Sequence, residues 1–183
     1  MDELQEAYNK AIAFAATRHT GQLLPGTTLP YIIHVTNVCM EVLVAGHQTA
    51  GFDLPFAVKV ALLHDTLEDT ATSFNELAGE FGDSVAEAVL ALTKFSNLPK
   101  EEQIADSLKR IQLQPKEVWA VKLADRIANL QAPPLEWDYK KRLKYQSDAQ
   151  MIWDELHKGN DYLGRRLQSK IIDYQQFVYL GDK

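Results

Sequence analysis

The residues with the clearest chemical potential lie in the segment 61–69. Four side chains that can bind a metal or move a proton fall within six residues there: His64, Asp65, Glu68 and Asp69. On a continuous α-helix these side chains would share one face, within an arc of about 140°. Three carboxylates on one face repel one another, and a purely structural helix gains nothing from that repulsion. A divalent cation would remove it, so the adjacent His-Asp pair predicts a metal site.

Two side chains elsewhere in the chain are candidates to complete that site. His34 stands at the start of a predicted helix, where a lone histidine is more often a cap or a core residue than a ligand. Asp125 lies in an apolar run, where a buried carboxylate is costly unless it is paired. Its structural partner would be Lys122 or Arg126, and its functional partner would be the metal. Two histidines and two aspartates suit Mn²⁺, and Fe²⁺ or Zn²⁺ also fits such a set.

Further polar residues could act on a substrate beside the metal. Glu68 and Asp69 lie one turn beyond the His-Asp pair and could take a proton from water, although either could instead cap the next helix. Asn129 shares a helix face with Asp125. Four cationic side chains could meet phosphate oxygens, and the alternative for each is a solvated or structural role: Arg18, Lys94, Lys122 and Arg126.

Composition restricts the class of protein. A chain of 183 residues is most simply one domain, covering residues 1–183. A net charge of -6 argues against binding along a nucleic acid, but not against a small phosphorylated ligand. The single Cys39 and an acidic N-terminus without signal-peptide character indicate a cytoplasmic protein. No apolar run is long enough to predict a membrane span. A homo-oligomer is compatible with the sequence.

Hydrophobic periodicity predicts helices throughout the chain. A loop rich in glycine and proline covers residues 20–30, and no segment alternates long enough to predict a strand. We therefore expect an all-α, single-domain helical bundle with the metal site between helices. Asp53 is the predicted cap of the helix that carries the His-Asp pair, and Ser73 with Glu76 forms a capping box. The predicted helices cover residues 3–18, 35–45, from 53 through the His-Asp pair, 73–82, 83–94, 99–111, 116–130, 139–156 and 161–177.

The order of several motifs resembles the hydrolase domain of the RelA/SpoT enzymes. The resemblance covers about residues 5–155, and the length is similar to that of the stand-alone small alarmone hydrolases, including the metazoan SpoT homologues. The motifs are His19-x-Gly21-Gln22, Pro30-Tyr31-Ile32-x-His34, His64-Asp65-x-x-Glu68-Asp69, Phe81-Gly82, Thr93-Lys94 and Lys122-Leu123-Ala124-Asp125-Arg126.

This resemblance implies an HD-type fold and a Mn²⁺-dependent hydrolase that removes the 3′-pyrophosphate of guanosine alarmones such as ppGpp. It implies that Glu68 and Asp69 activate the attacking water and that Asn129 contacts the nucleotide sugar or base. We also expect Tyr31 to contact the substrate. The implied metal ligands are His34, His64, Asp65 and Asp125.

The sequence departs from the family at the rim of the site. The family usually has basic residues after His-x-Gly-Gln, whereas this chain has Leu23-Leu24-Pro25, and it has Asn129-Leu130-Gln131-Ala132 in place of Asn-x-Arg-Thr. We therefore expect a metal-dependent phosphohydrolase that acts on a guanosine or an adenosine alarmone. One alternative is an HD nucleotidase or phosphatase for another small phosphorylated nucleotide or metabolite. Another is a module that binds an alarmone without hydrolysing it.

Overall fold

The computed structural model describes residues 2–179, which form ten α-helices connected by short loops. A 3₁₀ turn at His157–Gly159 separates the last two. The helices are α1 Asp2–Arg18, α2 Ile32–His47, α3 Leu54–Leu63, α4 Thr66–Asp69, α5 Phe74–Phe81, α6 Asp83–Leu92, α7 Lys100–Gln112, α8 Lys116–Asn129, α9 Tyr139–Leu156 and α10 Asp161–Tyr179. Within residues 2–179 the only β pairing is an isolated bridge between Leu23 and Pro30, so the all-α prediction is confirmed.

Helix α3 lies at the centre of the bundle, packed against α1, α2 and α8. Its sequence is almost entirely apolar, and the run from Ala57 to Leu63 is fully buried except for Lys59. A helix that is hydrophobic on all sides has to be enclosed by its neighbours. The end of α3 is therefore fixed in position, and that end carries His64. No helix in the part of the chain that the structure describes is both long and apolar enough to cross a membrane.

Helix caps appear where the sequence predicts them. The Asp53 side chain accepts a hydrogen bond from the backbone N–H of Phe56, with Pro55 in the first turn of α3. The Ser73 hydroxyl accepts from the backbone N–H of Glu76 at the start of α5. Each cap satisfies a backbone donor that a helix terminus leaves without a partner.

One prediction about the local structure was wrong. The His-Asp segment is not a continuous helix, because α3 ends at Leu63 and α4 begins at Thr66. The Thr66 hydroxyl donates to the backbone oxygen of Leu63, at 2.7 Å. Such a side-chain bond to a carbonyl offers the backbone an alternative to the helical pattern. Helix α2 also begins earlier than predicted, at Ile32, so that His34 lies within its first turn.

Candidate metal centre

Three chain segments bring the predicted metal ligands together. His34 comes from the first turn of α2, His64 and Asp65 from the break between α3 and α4, and Asp125 from the middle of α8. Each of His34, His64 and Asp125 offers a ligand atom within 4.8 Å of the other two. Asp65 joins them, because its Oδ2 lies 2.9 Å from His64 Nε2 and 3.6 Å from His34 Nε2. Residues that are up to 91 positions apart in the sequence thus face one small volume.

The cluster is buried, and the outer nitrogen of His64 has a hydrogen-bond partner that fixes its ring. Both histidines and Asp125 are less than a tenth exposed. His64 Nδ1 lies 2.8 Å from the backbone oxygen of Ala61, which directs its Nε2 towards the cluster. Partners of this kind fix the tautomer and the orientation of a metal-binding imidazole.

The two carboxylates of the cluster are oriented in the same way. Asp125 accepts hydrogen bonds from Lys122 Nζ at 2.9 Å and from Asn129 Nδ2 at 2.6 Å. The Tyr31 hydroxyl donates to Asp65 Oδ2. Three residues expected to contact the substrate, Lys122, Asn129 and Tyr31, therefore bind the carboxylates of the cluster.

The electrostatics of the cluster favour a bound cation. Burial would raise the pKa of each carboxyl, but His64 and His34 hold the pKa of Asp65 well below its usual range, and Lys122 with the histidines does so for Asp125. Burial lowers the pKa of His34, but Asp125 and Asp65 outweigh it and raise that pKa to about 9. Both carboxylates are therefore ionised near neutral pH.

The donor set fits a divalent transition metal. The Nε2 atoms of His34 and His64 lie 3.3 Å apart and face the carboxylates. Without a cation the two carboxylates are balanced only by Lys122 and by imidazole protons, whereas a single divalent ion balances both carboxylates and binds both nitrogens. Two nitrogen and two oxygen ligands suit Mn²⁺, Fe²⁺ or Zn²⁺.

Glu68 and Asp69 differ in their surroundings although they are adjacent. Glu68 accepts two bonds from Lys94, one from its backbone N–H at 2.8 Å and one from its ammonium group. Asp69 is more exposed than Glu68 although its carboxyl is partly desolvated, and within the described residues its Oδ2 accepts a hydrogen bond from Gln22 Nε2 at 3.1 Å. Burial and the nearby charge of Asp65 raise the pKa of Asp69. Of the two, Asp69 is the carboxylate better placed to accept a proton.

Two pockets flank the cluster. The first, of about 720 Å³, we call the lysine pocket; its lining includes Glu68, Asp69, Thr93, Lys94 and Asn97. The second, of about 280 Å³, we call the aromatic pocket, and His34 and Asn129 connect it to the cluster. Its other walls include Leu24, Pro25, Pro133, Pro134, Trp137, Tyr145 and Tyr174. Within the described residues no lysine or arginine lines the aromatic pocket.

The remaining cationic residues lie further away or are engaged elsewhere. Arg18 pairs with Glu76 on α5 and stacks on Phe14, so it lines neither pocket beside the cluster. Arg126 is buried, with its guanidinium carbon 4.6 Å from the centre of the Tyr145 ring. Of the cationic residues expected to meet phosphate, Lys94 alone lines one of these two pockets.

Sequence reasoning missed the aromatic residues and the role of Gln22. Trp137 and Tyr145 pack edge to face, 5.0 Å between ring centres, at the start of α9. Trp137, three positions after the Pro133-Pro134 break, was the available signal. Gln22 belongs to a motif that was noted, but its bond to Asp69 spans 47 positions and depends on the fold.

Comparison with known proteins identifies the family of the chain. A family model described as HD domain matches residues 11–160. A guanosine-3′,5′-bis(diphosphate) 3′-pyrophosphohydrolase of Aquifex aeolicus is 33% identical over 162 residues, covering 85% of this chain and 21% of that protein. The chain therefore spans about a fifth of the length of that relative. A second relative is the guanosine-3′,5′-bis(diphosphate) 3′-pyrophosphohydrolase MESH1 of Danio rerio. It is 31% identical over 170 residues, covering 90% of this chain and 92% of that protein.

Two solved structures share the fold. One is of a metazoan orthologue of SpoT that is described as hydrolysing ppGpp; it has a TM-score of 0.80 and 27% identity and covers 93% of this chain and 96% of that chain. The other is lmo0812 from Listeria monocytogenes, with a TM-score of 0.61 and 23% identity, covering 79% of this chain and 99% of that chain. The second likeness concerns the fold alone.

Proposed function

The chain belongs to the HD domain family, and we propose that it is a metal-dependent phosphohydrolase that removes the 3′-pyrophosphate of a purine nucleotide. The observation that carries this proposal is the convergence of His34, His64, Asp65 and Asp125 on one small volume. The names of the Aquifex aeolicus and Danio rerio relatives supply the reaction and the leading substrate, ppGpp.

The two pockets suggest how a nucleotide is oriented. Lys94, with an ammonium group that Glu68 holds in place, offers positive charge to phosphate oxygens on one side of the cluster. On the other side Trp137 and Tyr145 offer flat apolar surface to a base. The scissile phosphate then lies at the cluster itself, where it bridges the two pockets.

The protein residues divide the work of hydrolysis. A divalent ion bound by the four ligands would polarise a phosphoryl oxygen and make water more acidic. Asp69 accepts the proton of the attacking water, and Glu68 orders the site through Lys94. Lys122 and Asn129 keep Asp125 in place, and Tyr31 does the same for Asp65. The walls of the aromatic pocket hold the nucleoside and exclude water from that side.

Mn²⁺ is the ion that we propose, with Fe²⁺ and Zn²⁺ as the other ions that fit the donor set. The proposed partner is a small phosphorylated nucleotide and not a nucleic acid polymer, in keeping with a net charge of -6. The buried free thiol of Cys39 on α2 fits a reducing, cytoplasmic environment.

The test is to identify the product from a panel of nucleotides supplied with Mn²⁺. Guanosine and adenosine 3′-diphosphates, with and without a 5′-diphosphate, and the matching 5′-monophosphates are incubated with the protein and followed by ³¹P NMR. We expect release of inorganic pyrophosphate from the 3′ position, and none with Asp125→Asn.

Two other results would replace the proposal. Release of orthophosphate from 5′-monophosphates alone would favour the HD nucleotidase, and saturable binding without any product would favour a module that only binds the nucleotide.

A further inference from the structure

A chain of side-chain hydrogen bonds reaches Asp69 from the loop that follows α1. Gln22 Nε2 lies 3.1 Å from Asp69 Oδ2, and Gln22 Oε1 lies 2.7 Å from His19 Nδ1. His19 is 4% exposed, and the centre of its ring lies 4.9 Å from that of Tyr31, the donor to Asp65, with the two rings tilted by 37°. The loop thus contacts one proposed metal ligand and one proposed proton acceptor through neighbouring side chains.

The chemistry of the partners fixes the orientation of the Gln22 amide. An ionised Asp69 can only accept a hydrogen bond, so the NH₂ group of Gln22 has to face it. The amide oxygen then faces His19 Nδ1, which has to carry a proton. A reversed amide would place the Gln22 oxygen against the Asp69 oxygen, with no proton between them. Both hydrogen bonds therefore point towards Asp69: His19 donates to Gln22, and Gln22 donates to Asp69.

We propose that Gln22, oriented by His19, is a positioning residue that aims Asp69 at the attacking water. This inference rests on the proposed function. The amide is a neutral donor, so it fixes one oxygen of Asp69 without adding a positive charge. Glu68 differs in this respect, because the positively charged ammonium of Lys94 pairs directly with its carboxylate. Asp69 Oδ1 has no hydrogen-bond partner within residues 2–179 and is the atom that would receive the proton.

Replacement of Gln22 by methionine tests the positioning role. Gln22→Met keeps the length of the side chain but removes the donor. We expect kcat to fall by roughly ten- to a hundredfold, because a small misplacement of a catalytic group has an effect of that order. KM and bound metal should stay within about threefold of wild type, since no ligand or substrate contact is removed.

Gln150→Met is the matched control. Gln150 also donates to an aspartate, Asp154, at 2.9 Å, but on the exposed side of α9. Its kcat should equal that of wild type. An unchanged kcat in Gln22→Met would overturn the proposal. A loss of kcat that is accompanied by loss of metal or of cooperative unfolding would also overturn it, because Gln22 would then be structural.

Two replacements of His19 provide a second test that a merely structural role would not satisfy. An asparagine amide nitrogen occupies nearly the position of histidine Nδ1, whereas a glutamine amide nitrogen lies closer to the position of Nε2. We expect His19→Asn to keep kcat within about threefold of wild type, and His19→Gln to lose as much as Gln22→Met. Equal activity of the two variants would contradict the directed chain of donors.

Parallel assays separate this inference from the proposed function. Each variant is assayed on guanosine 3′,5′-bis(diphosphate) and on p-nitrophenyl phosphate with Mn²⁺. If only the aryl phosphate is hydrolysed, and its kcat depends on Gln22, the positioning role stands and the proposed substrate fails. If the nucleotide is hydrolysed equally by wild type and Gln22→Met, the function stands and the positioning role fails. If neither substrate is hydrolysed by wild type, Asp69 has no reaction to serve and both fail.

Discussion

At the scale of the residue, the division of work between Glu68 and Asp69 is the sharpest consequence of the structure. Both oxygens of Glu68 are engaged by Lys94, whereas Asp69 is more exposed and, among the described residues, only its Oδ2 has a hydrogen-bond partner. The sequence placed the two carboxylates beside the metal ligands, but it could not distinguish between them. Their difference arises from Lys94 and Gln22, which are 26 and 47 positions away from their respective partners.

Asp69→Asn should lower kcat by on the order of a hundredfold or more, because it removes the proton acceptor and no metal ligand. Glu68→Gln should raise KM, because a neutral amide holds the Lys94 ammonium, the proposed phosphate contact, less firmly. Steady-state kinetics together with metal analysis check both variants. Wild-type turnover in Asp69→Asn, with an inactive Glu68→Gln, would assign the proton acceptor to Glu68.

Metal binding should depend on pH through His34. The neighbouring aspartates raise its pKa to about 9 despite burial, so in the metal-free protein His34 is protonated below that pH. A metal binds only the neutral imidazole and therefore releases a proton. The affinity for Mn²⁺ should therefore rise with pH up to the range near pH 9 in which His34 loses its proton. Calorimetric titrations at several pH values measure both the affinity and the protons released, and an affinity independent of pH would contradict this.

At the scale of the element, the loop between α1 and α2 and the connection between α8 and α9 build the aromatic pocket. Glycine and proline predicted both as irregular segments, and the structure agrees. Which of their side chains face each other was not predictable, because irregular backbone has no repeating period. Leu24 and Pro134, both of which line the pocket, are 110 positions apart. The break after Leu63 was missed for a related reason, because the Thr66 side-chain bond is one local choice among several.

Base preference should be weak in the wild type and should follow Leu24. The apolar lining stacks on any purine, so kcat/KM for matched guanosine and adenosine 3′-pyrophosphates should agree within about tenfold. Leu24→Arg adds donors that suit the O6 and N7 acceptors of guanine and should shift the ratio towards guanosine.

Leu29→Arg is the matched control, because Leu29 lies in the same loop but does not line the pocket. A wild-type preference for guanine above about a hundredfold, unchanged in Leu24→Arg, would exclude this loop as the determinant of the base.

Two helix-interior glycines should respond to alanine in opposite directions. A Cβ at Gly164 in α10 would lie 2.7 Å from the backbone oxygen of His157, whereas a Cβ at Gly79 in α5 meets nothing within 4 Å. Gly79→Ala should raise the free energy of unfolding by about 0.5–1 kcal/mol through helix propensity. Gly164→Ala should lower it, because backbone atoms have to move. Urea denaturation measures both, and equal stabilisation would contradict the close packing of α10 on the 3₁₀ turn.

At the scale of the whole molecule, the fold brings the four proposed ligands from three segments to one point between helices. The His-Asp pair and Asp125 could be chosen from the sequence because ionisable residues stand there beside apolar runs, and His34 because of its place in the motif order that resembles the RelA/SpoT hydrolase domain. Their convergence required the packing of α2, α3 and α8 against one another. The hydrogen bonds that orient these carboxylates depend on the same packing. The sequence alone therefore could not pair Tyr31 with Asp65 or Lys122 with Asp125.

The most direct measurement of the central claim is a titration of metal-free protein with Mn²⁺ while pyrophosphate release from a purine nucleotide 3′-diphosphate is followed. Activity should be absent with a chelator and rise in proportion to bound metal until about one ion per chain is reached, as expected for one four-ligand site. Over the same titration, His64→Ala should neither bind one Mn²⁺ per chain nor release pyrophosphate. Full activity in the presence of the chelator, or in His64→Ala, would contradict a metal-dependent hydrolase built on this cluster.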